Sequence, residues 1–252
     1  MGDVVIDFDN VSFSYGTQTE GSLSDINFKV KEGEFILLTG QSGSGKTTFC
    51  NLISRFWDVN SGEIRLGGKN IKDYSLEYLM NNISMVFQDV YLFADTIENN
   101  IKFGCPNASR DDVIAAAKKA QCHDFISALP DGYQSMIGEG GTSLSGGEKQ
   151  RISIARAMLK DAPIIIFDEA TANVDPENED KLKAAIEALT QNKTVIMIAH
   201  RLKTIRNANR ILVLNKAGIE QCGTHDELML QGGLYRDLIE SRSKAESWRF
   251  AN

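Results

Sequence analysis

Apolar positions change their spacing along this chain, and the changes divide it into strands and helices. Val4 to Phe8 and Val11 to Tyr15 are short apolar-rich runs that predict two strands with a turn at Asp9-Asn10. Ile26 to Val30 alternates apolar and polar residues, the period of a half-buried antiparallel strand. Phe35-Ile36-Leu37-Leu38 is apolar throughout, as a strand covered on both faces requires. A helix is predicted from Lys46 to Arg55, and further strands at Gly62 to Leu66 and Ile83 to Phe87. From about Val90 to Leu159 the pattern turns helical. Ser109 and Asp112 form a capping box ahead of an apolar face of Val113, Ala116, Ala117 and Ala120, and a second helix is predicted from about Gly147 to Lys160. Strand patterns return at Ile164 to Phe167, Val195 to Ala199 and Ile211 to Leu214. Between the first two, Leu182, Ala185, Ile186 and Leu189 repeat at helical spacing. Thr224 and Glu227 cap a late helix, and Leu234 to Ser241 predicts another. Strands alternating with amphipathic helices imply an α/β core with a mostly parallel sheet, an antiparallel β edge at the N-terminus and an inserted α-helical subdomain. The core would comprise residues 1–88 and 160–243, the helical subdomain 89–159, and a C-terminal tail 244–252.

Composition narrows the classes of function. At 252 residues, 42% hydrophobic and 24% charged, the chain is of ordinary globular make-up, which excludes disorder and collagen-like structure. The net charge of −7 is a poor match for a nucleic-acid backbone, so no nucleic-acid partner is expected. The longest apolar runs, such as Val195 to Ala199, fall short of the ~18 residues of a membrane helix. Cys50, Cys105, Cys122 and Cys222 are scattered with no Cys-x-x-Cys pair, which argues against a disulfide framework or zinc site and for buried thiols in a reducing, cytosolic compartment. The acidic N-terminus lacks the order of a signal peptide. Arg201, Lys203, Arg206 and Arg210 read as a solvated basic face.

The chemistry begins at Gly40-Gln41-Ser42-Gly43-Ser44-Gly45-Lys46-Thr47-Thr48, which fits the P-loop pattern between a buried strand and a helix. Glycines let backbone N–H groups turn inward around phosphate oxygens, and the following helix points its positive end at the same anion. Lys46 would bridge the β- and γ-phosphates of a nucleotide, and Thr47 would offer its hydroxyl to Mg²⁺. A flexible Gly/Ser turn is the competing reading, which the strand–loop–helix context disfavours. Such a site needs a carboxylate for the metal. Ile164-Ile165-Ile166-Phe167-Asp168-Glu169 supplies two, at the C-terminal end of a buried strand, where open α/β sheets bind ligands. Asp168 would hold the metal, and Glu169 would orient or deprotonate the attacking water.

Three further groups complete a pattern: Leu144-Ser145-Gly146-Gly147-Glu148 ahead of a helix, Gln88 after one strand and His200 after another. With them the chain resembles the nucleotide-binding domain of the ATP-binding cassette (ABC) family, from Tyr15 to about Leu238. The resemblance implies a P-loop NTPase core that binds ATP and Mg²⁺ and hydrolyses ATP. It casts Tyr15 as the aromatic that stacks on adenine, and Gln88 as a residue that touches Mg²⁺ and the water and senses a membrane partner. Ser145, Gly146 and Gly147 would meet the γ-phosphate of ATP held by a second nucleotide-binding domain. Asp175 would cross that interface, and His200 would hold the γ-phosphate beside Glu169. One departure stands out. Where the family reads Ser-Ala-Leu-Asp, this chain reads Ala172-Asn173-Val174-Asp175, so a serine hydroxyl is missing at Ala172. His123 and His225 are expected to be structural.

The subtype resembles exporters, on Gly138-Glu139-Gly140-Gly141 and on Val86-Phe87-Gln88-Asp89 followed by Thr96-Ile97-Glu98-Asn99-Asn100-Ile101. In such exporters the domain follows six membrane helices, which implies one domain of a longer chain, N-terminally joined to a transmembrane domain. The domain would be soluble by itself and would work at the cytoplasmic face of the membrane, paired as a homo- or heterodimer. The alternatives are a separately encoded importer ATPase and a non-transport ABC ATPase. A coiled-coil ATPase of the chromosome-maintenance type would need hundreds of residues where Lys46 and Ser145 lie only 99 positions apart.

Overall fold

The structure, a computed structural model, describes residues 3–16, 22–87, 89–141, 143–168, 176–198 and 208–249. The chain packs as two compact units, one of residues 1–80 with 194–252 and one of residues 81–193.

Two sheets build the first unit. Strands β1 (Val4–Phe13), β2 (Leu23–Lys31), β4 (Ser61–Leu66) and β5 (Lys69–Asn70) form an antiparallel sheet in the order β2-β1-β4-β5, which is the expected β edge. β1 passes straight through the turn expected at Asp9-Asn10. Instead its pairing with β2 slips between Phe8 and Val11, a bulge in which Asn10 adopts φ 49. Asparagine tolerates that conformation. Asn10 is held there by Asn27, whose Oδ1 accepts the Asn10 N–H at 3.0 Å.

In the second sheet, β3 (Phe35–Gly40) runs parallel to both β8 (Thr194–Ile198) and β9 (Arg210–Asn215). Ile36, Leu37 and Leu38 are fully buried, as their unbroken apolar run predicts. β9 turns into β10 (Gly218–Gly223), an antiparallel partner that the pattern of the sequence does not announce. Helix α1 (Lys46–Ile53) buries Phe49, Leu52 and Ile53, and Phe49 stacks on Phe8 of β1 with ring centroids 4.2 Å apart, so one side chain ties the helix to the antiparallel sheet.

Arg210 corrects the expectation of a solvated basic face. It makes a bidentate ion pair with Glu34, donates to the Lys29 carbonyl at 2.6 Å, and lies 4.6 Å over the Phe28 ring. Burial opposes ionisation of Glu34, but the Arg210 guanidinium and the Lys31 N–H outweigh it and hold the carboxyl below its ordinary value. Arg201, Lys203 and Arg206 lie outside the described residues. The unit closes with α8 (His225–Gln231), capped by Thr224 and Glu227 as predicted, and α9 (Leu234–Arg249), which runs further than its apolar repeat.

Helix α2 (Leu76–Asn82) leads into β6 (Ile83–Val86), which in the second unit pairs in parallel with β7 (Ile164–Asp168), Ile83 opposite Ile164. Around them lie α3 (Ile97–Lys102), α4 (Arg110–Lys119), α5 (His123–Ser127), α6 (Gly146–Lys160) and α7 (Pro176–Thr190), with α6 packed against α3, α4 and α7. The Ser109–Asp112 capping box forms, and Val113, Ala116, Ala117 and Ala120 are buried as their spacing predicts. α7 buries Leu182, Ala185 and Leu189.

Cys50 and Cys122 are buried, but Cys222 is exposed, against expectation. Burial pushes the Cys122 thiol up to about 12, which makes it a packing residue. His123 and His225 serve structure: each Nδ1 pairs with a tyrosine hydroxyl, Tyr133 at 2.9 Å and Tyr235 at 2.8 Å. No helix among the described residues is long and apolar enough to cross a membrane.

Candidate functional site

The P-loop takes its shape from contacts that leave no room for side chains. At Gly40 the chain leaves β3 with φ 147, and a Cβ there would lie 2.2 Å from the Leu214 carbonyl oxygen and 2.8 Å from Ser44 Oγ. At Gly45, φ is 97 and a Cβ would sit 2.6 Å from Leu23 Cδ2. Gly43 also has a positive φ, of 73. Gln41 and Ser42 are exposed between them. Gly40→Ala is therefore expected to destabilise the fold by on the order of 2–5 kcal/mol, strain and overpacking together. Chemical denaturation measures it, and a loss below about 1 kcal/mol would contradict the contact with Leu214.

Gly45 begins α1 with no side-chain cap, and no acid stands in the first turn. The helix thus offers its first N–H groups to an outside acceptor. Ser44 Oγ is buried and has no hydrogen-bond partner among the described residues. Lys46 is 8% exposed, and its Nζ donates to the carbonyls of Gly40 at 3.2 Å and Gln41 at 2.8 Å. Thr47 faces solvent and Thr48 is buried. A Cβ-free cradle, an orphaned hydroxyl and an ammonium resting on two carbonyls together fit a polyphosphate. Thr47 Oγ1 and the Asp168 carboxylate are hard oxygen donors, the type that Mg²⁺ selects.

Tyr15 follows β1 and is half-buried, at right angles to Phe13 with centroids 4.8 Å apart. Tyr15 and the P-loop belong to the first unit. Asp168 and the signature residues belong to the second. Ile164, Ile165, Ile166 and Phe167 are buried, and Asp168 ends their strand half-exposed.

Ser145 is the N-cap of α6. Its Oγ accepts the Glu148 N–H at 3.3 Å, while Glu148 Oε2 accepts the Ser145 N–H at 2.8 Å. Ser145, expected to meet a phosphate, also closes a capping box, of which the Ser-x-x-Glu spacing is the ordinary sequence signal. Gly146 is exposed and Gly147 buried. The exporter-like loop at Gly138–Gly141 is tied back to Tyr91-Leu92: the Tyr91 hydroxyl donates to Glu139 Oε1 at 3.3 Å, and Gly140 N–H to the Leu92 carbonyl at 3.0 Å. Gln88, Glu169, Ala172, Asp175 and His200 lie outside the described residues.

The ABC transporter family model matches residues 23–172, and the chain belongs to that family. It is 47% identical over 234 residues to an ATP-dependent lipid A-core flippase of Haemophilus influenzae (strain 86-028NP), covering 92% of this chain and 40% of the relative. It is 50% identical over 236 residues to the protein of the same name in Methylobacillus flagellatus, covering 93% of this chain and 40% of that one. The chain thus spans about 40% of the length of these relatives. Among solved structures, a bacterial Atm1-family ABC exporter with ATP bound superposes with a TM-score of 0.88 at 39% identity, over 96% of this chain and 42% of that one. The α/β P-loop fold expected from the sequence is the fold of that family.

Proposed function

We propose that this chain is the ATP-hydrolysing domain of an exporter, and that it works at the cytoplasmic face of a membrane joined to a transmembrane domain N-terminal to it. The observation that carries the reading is the P-loop, with its glycine contacts, orphaned Ser44 hydroxyl and buried Lys46. The names of the relatives, flippase and exporter, support transport outward over import or a non-transport role.

Each residue has a part in this reading. Tyr15 stacks on adenine. Backbone N–H groups of Gly40 to Thr48 surround the phosphates, and Lys46 moves from its two carbonyls onto the β- and γ-oxygens. Thr47, Asp168 and Gln88 hold Mg²⁺, which neutralises charge on the phosphates when bound. Glu169 takes the proton of the attacking water, and His200 holds the γ-phosphate and orients that water. Ser145, Gly146 and Gly147 complete the site of a second domain, a copy of this chain or a related one. ATP then favours the closed pair because those contacts exist only there.

The capping box sharpens the test of Ser145. Aspartate is as good an N-cap as serine, so Ser145→Asp should keep α6 and the melting temperature. Its charge would repel a γ-phosphate, so ATP-dependent dimerisation and phosphate release should both fall to background. Retention of both with Ser145→Asp would remove the trans role. Wild-type specific activity should also rise with protein concentration through the dimerisation range, since a monomer holds only half-sites.

A further inference from the structure

The phosphate helix leads directly to a ring that packs on Tyr15. Beyond Ile53, where α1 ends, the chain turns at Arg55 with φ 52. The Arg55 guanidinium fixes that turn: Nε donates to Asp58 Oδ1 at 3.1 Å, and Nη1 to the carbonyls of Lys72 at 3.3 Å and Tyr74 at 3.4 Å. Asn60 then ties the segment to the end of β1. Its N–H donates to the Ser12 carbonyl at 3.0 Å, and its Oδ1 accepts the Ser14 N–H at 2.7 Å. In the middle of this pinned stretch stands Trp57, 51% exposed, its ring at 89° to Tyr15 with centroids 5.3 Å apart. Phe13 lies 4.8 Å from Tyr15 and 6.2 Å from Trp57, so the three rings close a triangle.

We infer that Trp57 is a positioning residue for the base half of the nucleotide site, and that it acts by holding the Tyr15 ring in the orientation in which it meets the base. The inference rests on the proposed adenine role of Tyr15. A half-exposed indole adds little to a core, so its packing against Tyr15 is its main contribution. Edge-to-face pairs are worth more than their buried area. A ring already fixed before the base arrives does not lose its rotamer freedom on binding. Because Trp57 follows the helix whose first residue is Lys46, one continuous, hydrogen-bonded segment carries both the phosphate end and the base end of the site.

The test titrates the 252-residue chain with Mg-ATP and, in parallel, with magnesium tripolyphosphate, which has no base. Trp57→Ala should weaken ATP binding by about 2- to 10-fold and leave tripolyphosphate binding unchanged. Trp57→Phe, which keeps a ring, should recover most of the loss. Tyr15→Ala should weaken ATP at least as much, and the double variant Tyr15→Ala/Trp57→Ala should be no weaker than Tyr15→Ala alone, as non-additivity requires when one residue acts through the other. Equal losses for both ligands would make Trp57 a support of the phosphate loop and overturn the proposal. Additive losses would do the same, by giving Trp57 its own contact with the base. Unchanged ATP affinity in Trp57→Ala, with Tyr15→Ala weakened, removes the positioning role while the adenine role of Tyr15 stands. Unchanged affinity in Tyr15→Ala removes the adenine role itself, and the proposal falls with it.

Discussion

Glu169→Gln is expected to lower kcat by about 10²–10⁴-fold while Mg-ATP still binds, because glutamine keeps the shape of the side chain and loses its power to accept a proton. Glu169 follows directly in sequence on β7, in which four buried apolar residues, Ile164 to Phe167, precede Asp168. Losing one negative charge near the γ-phosphate should also ease repulsion in the closed pair. With turnover blocked, a dimer should persist in Mg-ATP and be visible by light scattering, whereas wild-type protein under the same conditions should be mainly monomeric. Wild-type turnover in Glu169→Gln would remove Glu169 from the role of base. An inactive variant that stays monomeric in Mg-ATP would leave the base in place and remove the closed pair.

The second large effect belongs to Lys46. In the structure its Nζ satisfies two carbonyls, worth at least about 1 kcal/mol each, but removing a buried ammonium also relieves its desolvation, so Lys46→Ala should cost the fold little in net. Each charge-assisted bond to phosphate is worth about 1.5–3 kcal/mol, so Mg-ATP affinity should fall by roughly 10- to 100-fold or more. The contrast between a small shift in melting and a large shift in affinity is the diagnostic. Affinity at the wild-type level would sink the P-loop assignment, and an affinity loss matched by gross unfolding would mean that the lysine is structural.

Much of this was legible in the sequence because chemistry and periodicity coincide there. The run Phe35 to Leu38, the Ser109–Asp112 box and the glycines of the phosphate loop each carry one dominant signal, and each appears where expected. What was not legible depends on partners far along the chain. Asn10 reads as a turn residue because asparagine favours turns; only its pairing with Asn27 turns that preference into a bulge within a continuous strand. Arg210 reads as part of a solvated basic face because a cluster of like charges usually is one; its acid, Glu34, stands 176 residues earlier. β10 escaped notice because its hairpin turns through Lys216 and Ala217, with φ 45 and 70, where asparagine and glycine would have announced it. Trp57 carries no motif at all.

The β9–β10 hairpin reaches the phosphate loop from outside. Leu214, at the end of β9, sets its carbonyl against Gly40, and Ala217 in the turn accepts the Ser24 N–H at 2.8 Å, next to the Leu23 side chain that closes on Gly45. One end of the loop is thus shaped directly by the hairpin through Leu214, and the other by Leu23 of β2, whose neighbour Ser24 the hairpin holds. A glycine-rich segment left to itself would sample many conformations, and gathering them around an anion would weaken binding by the entropy of ordering. Here the ordering belongs to folding, and the cradle is preorganised before any phosphate arrives.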